Sequence, residues 1–267
     1  MLIRIDRGFE ANRPAEITSG RRFYVRLARS WSEVEAAQRL RWRVFADEMG
    51  ARLDSGRPGI DWDQFDDHCD HLLAFEAGEG RVIGTYRILR PDRAARLGTC
   101  YSEREFDLAP LAALRPKAAE IGRSCVDPAW RGSAVLALMW SALIEYAKER
   151  GLSHLMGCAS VPLNDGGIYA ANLYHALKQD LVESRLRVQP HVGLDVGRLA
   201  TGEPTRAPTL IRGYLRVGAR ICGLPAVDYE FNTADFLMLL DIDAISSRFA
   251  RRFELGSKQD QVEALAA

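Results

Sequence analysis

Residues 119–132, AEIGRSCVDPAWRG, place charged side chains inside an otherwise apolar strand, which ends at a proline and leads into a long apolar helix. A carboxylate in a buried strand is unfavourable unless it is paired or used, because burial penalises the ionised form. Glu120 and Ser124 share one face of a regular strand, whereas Arg123 points to the other. The segment therefore predicts either a buried salt bridge or a catalytic carboxylate. In both cases a bulge or a splayed cleft in the strand must turn the Arg123 side chain to the face of Glu120.

Hydrophobic periodicity on both sides of this segment predicts a series of strands and amphipathic helices. The predicted strands are 21–28, 71–77, 81–90, 120–126, 152–160 and 235–243, and the predicted helices are 30–50, 133–150 and 166–179. The second and third strands are joined by GEG, which is a hairpin signal. The order lacks regular strand–helix alternation, so it predicts a mixed α/β sheet covered by helices rather than a doubly wound fold.

The chain has 267 residues and contains no linker long enough to divide it. We expect a single domain over residues 21–255, in which residues from about 185 onward form a C-terminal extension. Residues 1–20 are expected to be poorly ordered, and residues 256–267 are expected to form a tail.

Charge and cysteine content exclude several classes of function. Lysine plus arginine equals aspartate plus glutamate at 36 each, so no basic field predicts nucleic-acid binding. The five cysteines are scattered and form no CxxC pair, as expected for reduced thiols in a cytoplasm. The longest apolar run, 135–144, is far shorter than the roughly 20 residues that span a bilayer. We expect a cytoplasmic protein, at most peripheral to a membrane.

The sequence DDHCDH, with His68, Cys69 and His71, is the candidate metal site. A zinc site needs three or four converging ligands, and these residues are nearly contiguous at the start of a strand, where their side chains point in different directions. A loop that enters a strand explains them better, so no metal is expected. A G-x-S-x-G elbow is also absent from the sequence.

Taken together, several segments resemble the acyltransferases that make lyso-ornithine lipid, in the hemolysin-like branch of the GNAT superfamily. The segments are RLRWRVFADEMGA, DQFDDHCDHLLAF, VIGTYRIL, AEIGRSCVDPAWRG, GCASVPLND and LIRGYLRVGARICGLPAVDYEFNTADFLMLL. The resemblance runs from about residue 24 to residue 254. It implies a GNAT-like mixed, mostly antiparallel sheet flanked by helices, with a C-terminal α+β extension. It also implies transfer of a (3-hydroxy)fatty acyl group from acyl carrier protein to the α-amine of L-ornithine, without a permanently bound cofactor.

The chain is more distantly similar to the acyl-homoserine-lactone synthases. Their pattern of an Arg-x3-Phe helix, an Asp-x-x-Asp loop, a strand arginine and a Glu-x-x-Arg strand is matched by Arg41 and Phe45, Asp63 and Asp66, Arg87, and Glu120 and Arg123. The tryptophan that follows the phenylalanine in those synthases has no match in residues 48–51, which counts against homoserine-lactone chemistry.

These resemblances imply roles for the residues. Glu120 would be the general base, acting through a water, and Arg123 would pair with the substrate carboxylate or with Glu120. The oxyanion would need main-chain N–H donors near Ser124 to Val126. The substrate-binding candidates are Arg41, Phe45, Asp63, Asp66 and Arg87. The acidic pair among them would hold substrate ammonium groups or brace the two arginines.

The acyl donor is expected to be a phosphopantetheine thioester bound by Val126, Arg131, Gly132 and Ser133. Acetyltransferases of the superfamily bind the coenzyme A pyrophosphate with glycines before this helix, and here bulkier residues replace them. That replacement favours acyl carrier protein as the partner, with acyl-coenzyme A as the alternative donor.

Two alternatives stay open from the sequence. The acceptor could be another amino acid or an autoinducer-type substrate. The chain could also be a membrane-active, hemolysin-like lipid-binding protein without turnover. Its support is the basic and aromatic segment 246–253, SSRFARRF, which could contact an anionic bilayer.

Overall fold

The computed structural model describes residues 17–19, 22–53, 55–131 and 133–245. The strands are β1 (Ile17–Ser19), β2 (Phe23–Leu27), β3 (Asp70–Glu76), β4 (Val82–Leu89), β5 (Phe106–Asp107), β6 (Ala118–Val126), β7 (His154–Pro162), β8 (Gln189–Pro190), β9 (Arg220–Ile221), β10 (Ala226–Asp228) and β11 (Thr233–Asp241). The α-helices are α1 (Trp31–Trp42), α2 (Pro91–Leu97), α3 (Ser133–Glu149), α4 (Ile168–Ala176), α5 (Val196–Leu199) and α6 (Thr209–Val217).

The main sheet has the strand order β1-β2-β3-β4-β6-β7-β11-β10, with β9 pairing beside β11. Among the paired strands of the described ranges, β6 and β7 run parallel and the other pairs are antiparallel. The predicted mixed sheet is therefore confirmed. Residues from 185 onward contribute β10 and β11 to this same sheet, since β11 pairs with β7 along its whole length.

Alternation along the strands divides the core between two layers of helices. On β3, Leu73 and Phe75 pack in the cluster of α1, whereas Leu72 and Ala74 pack in the cluster of α3. This two-residue period is what a pleated strand covered on both faces requires. β11 is buried along nearly its whole length and reads as a continuous apolar run, which made it recognisable in the sequence.

The helix predicted at 30–50 is two elements. α1 begins after Ser30, whose side chain accepts the main-chain N–H of Glu33, and it passes into a π-helix over Arg43–Glu48. π-helical turns often occur at functional sites, and this one places Phe45 at the cavity described below. The short helix α2 and the strands β1, β5 and β10 lie outside the predicted elements. The strand β8 lies in residues 185–196, whose pattern is strand-like, and β9 lies in residues 210–223, whose pattern is ambiguous between helix and strand.

Two of the expected segments fall partly or wholly outside the described residues. Residues 17–19 form β1, an edge strand paired with β2. Residues 1–16 and the tail 256–267 lie outside the described ranges. Among the helices of those ranges, none combines the length and apolarity that crossing a bilayer requires.

The centre of the sheet is split. β6 and β7 pair from Ala118↔His154 to Glu120↔Met156 and then separate. On its other side, β6 pairs with β4 through a bulge, because Thr85 faces Cys125 and Arg87 faces Gly122. Two residues of β6 therefore oppose the single residue Tyr86 of β4. The bulge and the splayed cleft that the sequence required are both present.

Candidate active site

A cavity of about 320 Å³ opens where β6 and β7 separate. The helices α3 and α6 supply an apolar wall that includes Trp140, Leu210 and Tyr214. Polar side chains come from the strands and from the 3₁₀ turn Tyr101–Arg104, and they are Tyr101, Ser102, Glu120, Arg123, Ser124, Cys158, Ser160, Asp228, Thr233 and Asp235. The cavity can therefore hold a molecule with an apolar chain and a polar head.

Glu120 is buried, with 7% of its surface exposed, and it lines this cavity. Its two carboxylate oxygens accept the main-chain N–H groups of Tyr101 at 2.8 Å and of Ser102 at 2.7 Å. Among the described residues it forms no ion pair with Arg123, so the buried salt bridge considered from the sequence is not formed. Backbone donors at the start of a 3₁₀ turn stabilise its charge instead.

Arg123 lies in the bulge with a φ of 49°, a left-handed conformation that is rare for residues other than glycine. Its guanidinium lies 3.2 Å from Asp63 and 3.4 Å from Asp61. It also stacks over the rings of Tyr101 and Phe231, at 5.0 Å and 4.6 Å from their centroids. The bulge turns this side chain into the cavity, so Arg123 and Glu120 share the site without touching.

Arg41 is fully buried and donates to Asp61 and to Asp66. Arg87 donates to Asp63 at 2.6 Å and to Asp66 at 3.0 Å. Burial alone would raise the pKa of the Asp66 carboxyl, but the two arginines outweigh it and hold that pKa well below its ordinary value. The network joins the acidic loop to α1 and β4.

This geometry bears on the two roles proposed for the acidic loop. Arg41, Asp63 and Asp66 do not line the cavity, and Arg41 and Asp66 have no exposed side-chain surface. Their contacts favour the bracing role, and substrate binding by these three residues stays a prediction. Phe45 and Arg87 do line the cavity.

Two of the four expected donor-binding residues lie at the same cavity. Val126 and Arg131 line the cavity. Arg131 is half-exposed and donates to the carboxylate of Glu48 through both terminal nitrogens, one of them at 2.6 Å. Gly132 lies outside the described residues, and Ser133 begins α3. A phosphate that binds Arg131 would have to replace Glu48 as its ion-pair partner. Exposed ion pairs of this kind are weak, so the replacement costs little.

A group of acidic residues at the cavity was missed in the sequence. Carboxylate oxygens of Glu105 and Asp235 and the thiol of Cys158 lie within 4.8 Å of one another. Burial raises the pKa of Asp235 to about 6, and burial together with the charges of Asp235 and Asp228 raises the pKa of Glu105 to about 9. The sequence signal for this group was Asp235, a carboxylate next to the apolar run FLMLL. Like Glu120, it is a charged residue in an apolar strand.

The residues of the DDHCDH segment separate as expected. His71 is buried and its Nε2 lies 3.0 Å from the main-chain oxygen of Asp66, while Cys69 packs in an apolar cluster. In the described part of the chain, the three-residue group with metal-ligand chemistry is Glu105, Cys158 and Asp235.

Hydroxyl groups also occur inside the apolar wall. The hydroxyls of Tyr86 and Tyr214 are 3.1 Å apart, and the indole N–H of Trp140 donates to Tyr86 at 3.1 Å. Ser124 lies beside both tyrosines.

Comparison with known proteins identifies the family. Residues 40–141 match the acetyltransferase (GNAT) domain family. The chain is 36% identical over 242 residues to the L-ornithine N(alpha)-acyltransferase of Rhizobium meliloti (strain 1021), covering 84% of this chain and 82% of that protein. It is 35% identical over 250 residues to the protein of the same name from Rhodobacter capsulatus, covering 87% and 96% respectively.

The chain belongs to the family of L-ornithine N(alpha)-acyltransferases. This member of the family is therefore an enzyme of the acyltransferase class, as the sequence predicted, and the alternative of a membrane-active protein without turnover is excluded. The crystal structure of the acyl-homoserine-lactone (AHL) synthase LasI superposes with a TM-score of 0.51 at 13% identity, covering 86% of this chain and 95% of that chain. At this identity the likeness concerns the fold, and it confirms the predicted GNAT-like architecture.

Proposed function

We propose that this enzyme transfers a 3-hydroxyacyl group from acyl carrier protein to the α-amine of L-ornithine, which yields lyso-ornithine lipid. The observation that carries the proposal is the cavity between β6 and β7, in which an apolar chamber adjoins a polar end with charges of both signs. The names of the related acyltransferases support ornithine as the acceptor.

Glu120 is our candidate for the general base, acting through a water. An amine must lose a proton to attack a thioester, and a positioned carboxylate contributes to that step. Each oxygen of Glu120 accepts one main-chain N–H, and each keeps a second lone pair for a water. Its fixed position beside the point where β6 and β7 part is what a base at this cleft needs.

The bulge in β6 is our candidate for oxyanion stabilisation. A bulge leaves an extra residue outside the regular ladder, so main-chain N–H groups from Ser124 to Val126 can turn towards the cavity. Arg123 projects from the same bulge and is our candidate partner for the α-carboxylate of the amino acid. Its cation would hold the acceptor with its amine beside Glu120.

The apolar chamber suits a long acyl chain, and its hydroxyl groups suit a chain that carries a hydroxyl. The network of Tyr86, Tyr214 and Trp140 offers a donor and an acceptor within an apolar wall. A hydroxyl group buried here can keep its hydrogen bonds, whereas elsewhere in the chamber it would lose them.

Mass spectrometry on the purified enzyme tests the reaction. Ornithine is supplied with 3-hydroxypalmitoyl carrier protein in one reaction and with the matching coenzyme A thioester in another. Mono-acylated ornithine formed much faster from carrier protein supports the proposal. A comparable rate from coenzyme A refutes the choice of donor, and acylation of other amino acids in preference to ornithine refutes the choice of acceptor.

Glu120→Gln tests the base. We expect a fall in kcat of about 10²- to 10⁴-fold, the usual contribution of a general base. Glu103→Gln is the matched control, because Glu103 also accepts a main-chain N–H in the same turn, from Cys100 at 2.9 Å, but does not line the cavity. Equal losses in the two variants would mean that Glu120 only holds the turn.

We also propose that the enzyme contacts an anionic membrane where it releases its lipid product. The basic and aromatic segment 246–253, which lies outside the described residues, has the composition for this contact. Flotation with anionic and with neutral vesicles tests it, and equal recovery with both would refute an electrostatic contact.

A further inference from the structure

Two carboxylates that line the cavity, Asp228 and Asp235, and the neighbouring carboxylate of Glu105 lack the cations that Asp61 and Asp66 have. Asp61 and Asp66 are paired with Arg41, and Asp66 is also paired with Arg87. By contrast, Asp228, Asp235 and Glu105 form no ion pair with any arginine, lysine or histidine in the described part of the chain. We call these three residues the acidic wall.

The acidic wall is buried. Asp235 and Asp228 are 3% and 8% exposed, and Glu105 is partly buried. Asp235 accepts a hydrogen bond from Thr233 at 2.7 Å, and one oxygen of Asp228 accepts the main-chain N–H groups of Glu230 and Phe231. These neutral donors satisfy part of the carboxylate capacity and bring no positive charge. Buried carboxylates in this state favour a cation from outside the chain.

The acidic wall lies close to the candidate base. Ser102, whose main-chain N–H binds Glu120, places its hydroxyl 3.9 Å from the sulfur of Cys158, and that sulfur lies 3.4 Å from a carboxylate oxygen of Glu105. Asp228 and Asp235 line the same cavity as Glu120. One small molecule can therefore contact both Glu120 and the acidic wall.

A second, independent feature indicates what kind of molecule fits. The side chain of Arg123 is nine-tenths buried and lines the cavity, yet its Nε has no hydrogen-bond partner in the described residues. It lies 3.4 Å from Asp61 but is not aligned to donate to it. Arg123 thus brings a cation to a cavity that Asp228 and Asp235 also line. A ligand with a carboxylate at one end and a cation at the other satisfies both.

We propose that the acidic wall of Asp228, Asp235 and Glu105 binds the side-chain ammonium group of the acceptor amino acid and so selects a diamino acid over neutral amino acids of the same length. This inference rests on the proposed function, because it assumes that an amino acid is the acceptor. It assigns the acidic wall to recognition of the side chain, while Glu120 and Arg123 serve the α-amine and the α-carboxylate. The ammonium group forms charge-assisted hydrogen bonds there and replaces the missing cation.

L-Norvaline provides the test, since it has the carbon skeleton of ornithine and lacks the side-chain amine. With one acyl donor, kcat/KM is measured for both amino acids in the wild-type enzyme and in Asp235→Asn and Glu105→Gln. We expect the wild-type enzyme to prefer ornithine by at least about tenfold, the usual effect of a hydrogen bond to a charged group. Each variant should lower kcat/KM for ornithine and leave that for norvaline within about twofold, since the loss is specific to the cation.

Asp243→Asn is the matched control, because Asp243 is an exposed carboxylate in the turn after β11 and does not line the cavity. Its preference for ornithine should equal that of the wild type. A variant that was merely damaged would lose activity on both amino acids alike, so the ratio of the two kcat/KM values reports recognition of the ammonium group.

Three outcomes would overturn the inference. Equal efficiency on ornithine and norvaline in the wild-type enzyme would show that the acidic wall does not select, while leaving amino-acid acylation intact. Loss of the preference on chelation and its return with Zn²⁺ would show that Glu105, Cys158 and Asp235 hold a metal. Acylation of neither amino acid would refute the proposed function, and this inference with it.

Discussion

Replacing Asp235 with asparagine should stabilise the unliganded enzyme at neutral and alkaline pH, although it removes a hydrogen-bonded residue of the sheet. Asp235 is 3% exposed, and burial raises the pKa of its carboxyl from 3.8 to about 6. The charges that face it are those of Asp228, Glu105 and Arg123. Asparagine keeps the carbonyl oxygen that Thr233 can bond to and never ionises.

The magnitude follows from the difference in pKa between the folded and unfolded states. A raised folded-state pKa means that above pH 4 the unfolded chain holds fewer protons than the folded enzyme, so stability falls as pH rises through about 6. A shift of roughly two units corresponds to about 3 kcal/mol, and side-chain relaxation with entry of water reduces such penalties. We therefore expect Asp235→Asn to gain about 1 to 3 kcal/mol above pH 7.

Urea unfolding at about pH 4 and at about pH 8 measures this effect. The variant and the wild type should differ little at the acidic pH, where the folded carboxyl is neutral and the unfolded carboxyl, with its ordinary pKa of 3.8, is only partly ionised. They should differ by the full amount at the alkaline pH. Asp243→Asn makes the same chemical change on the surface, and its curves should match the wild type at both values.

A loss of stability for Asp235→Asn at the alkaline pH would refute the reasoning, since it would mean that the ionised carboxylate is stabilised in the folded enzyme. A gain of the same size at both pH values would also refute it, because such a gain would come from packing and not from charge. Saturating ornithine should abolish the difference if the ammonium group binds the acidic wall.

Three further predictions concern the bracing network, the splayed strands and the donor site. Arg41→Leu removes the nearest cation from the buried carboxylate of Asp61 and leaves Asp66 with Arg87 alone. Urea unfolding should therefore show a loss of about 3 to 5 kcal/mol, and a loss below about 1 kcal/mol would show that the network is not structural. A Cβ at Gly157 would clash with the main-chain carbonyl oxygen of Ile121 in β6, so Gly157→Ala must move β6 from β7. We expect at least about tenfold lower kcat/KM, and wild-type kinetics would refute the tight approach of the two strands. Arg131→Ala should raise KM for the carrier-protein donor about tenfold with kcat nearly unchanged, and Glu48→Gln should lower that KM; unchanged KM in both variants would exclude a phosphate contact.

Much of the architecture could be predicted from the sequence because local physics determines it. The apolar runs that became β3, β4, β7 and β11 are strands buried on one or both faces, and their periodicity and flanking glycines are local signals. The short strands β5, β8 and β9 lack such signals, since two or three residues have no period. They form because neighbouring segments offer hydrogen-bond partners.

The same distinction between local and long-range causes applies to the candidate site. Glu120 stood out in the sequence because a carboxylate in an apolar strand is unfavourable wherever the strand lies. Its partner could not be predicted, since the main-chain donors of Tyr101 and Ser102 come from a turn about twenty residues away. Arg41 and Asp66 were assigned to the substrate by resemblance, and only the contacts show that they bind each other.

The sequence by itself determined which residues are chemically out of place, namely Glu120 and Arg123 within an apolar strand, and it determined the family to which the chain belongs. The tertiary structure alone decided which charges are neutralised. Arg41 is surrounded by carboxylates, whereas Asp235 lies beside other acids. The physical reason is that the energy of a buried charge depends on the groups within a few ångströms of it, and those groups come from distant parts of the chain.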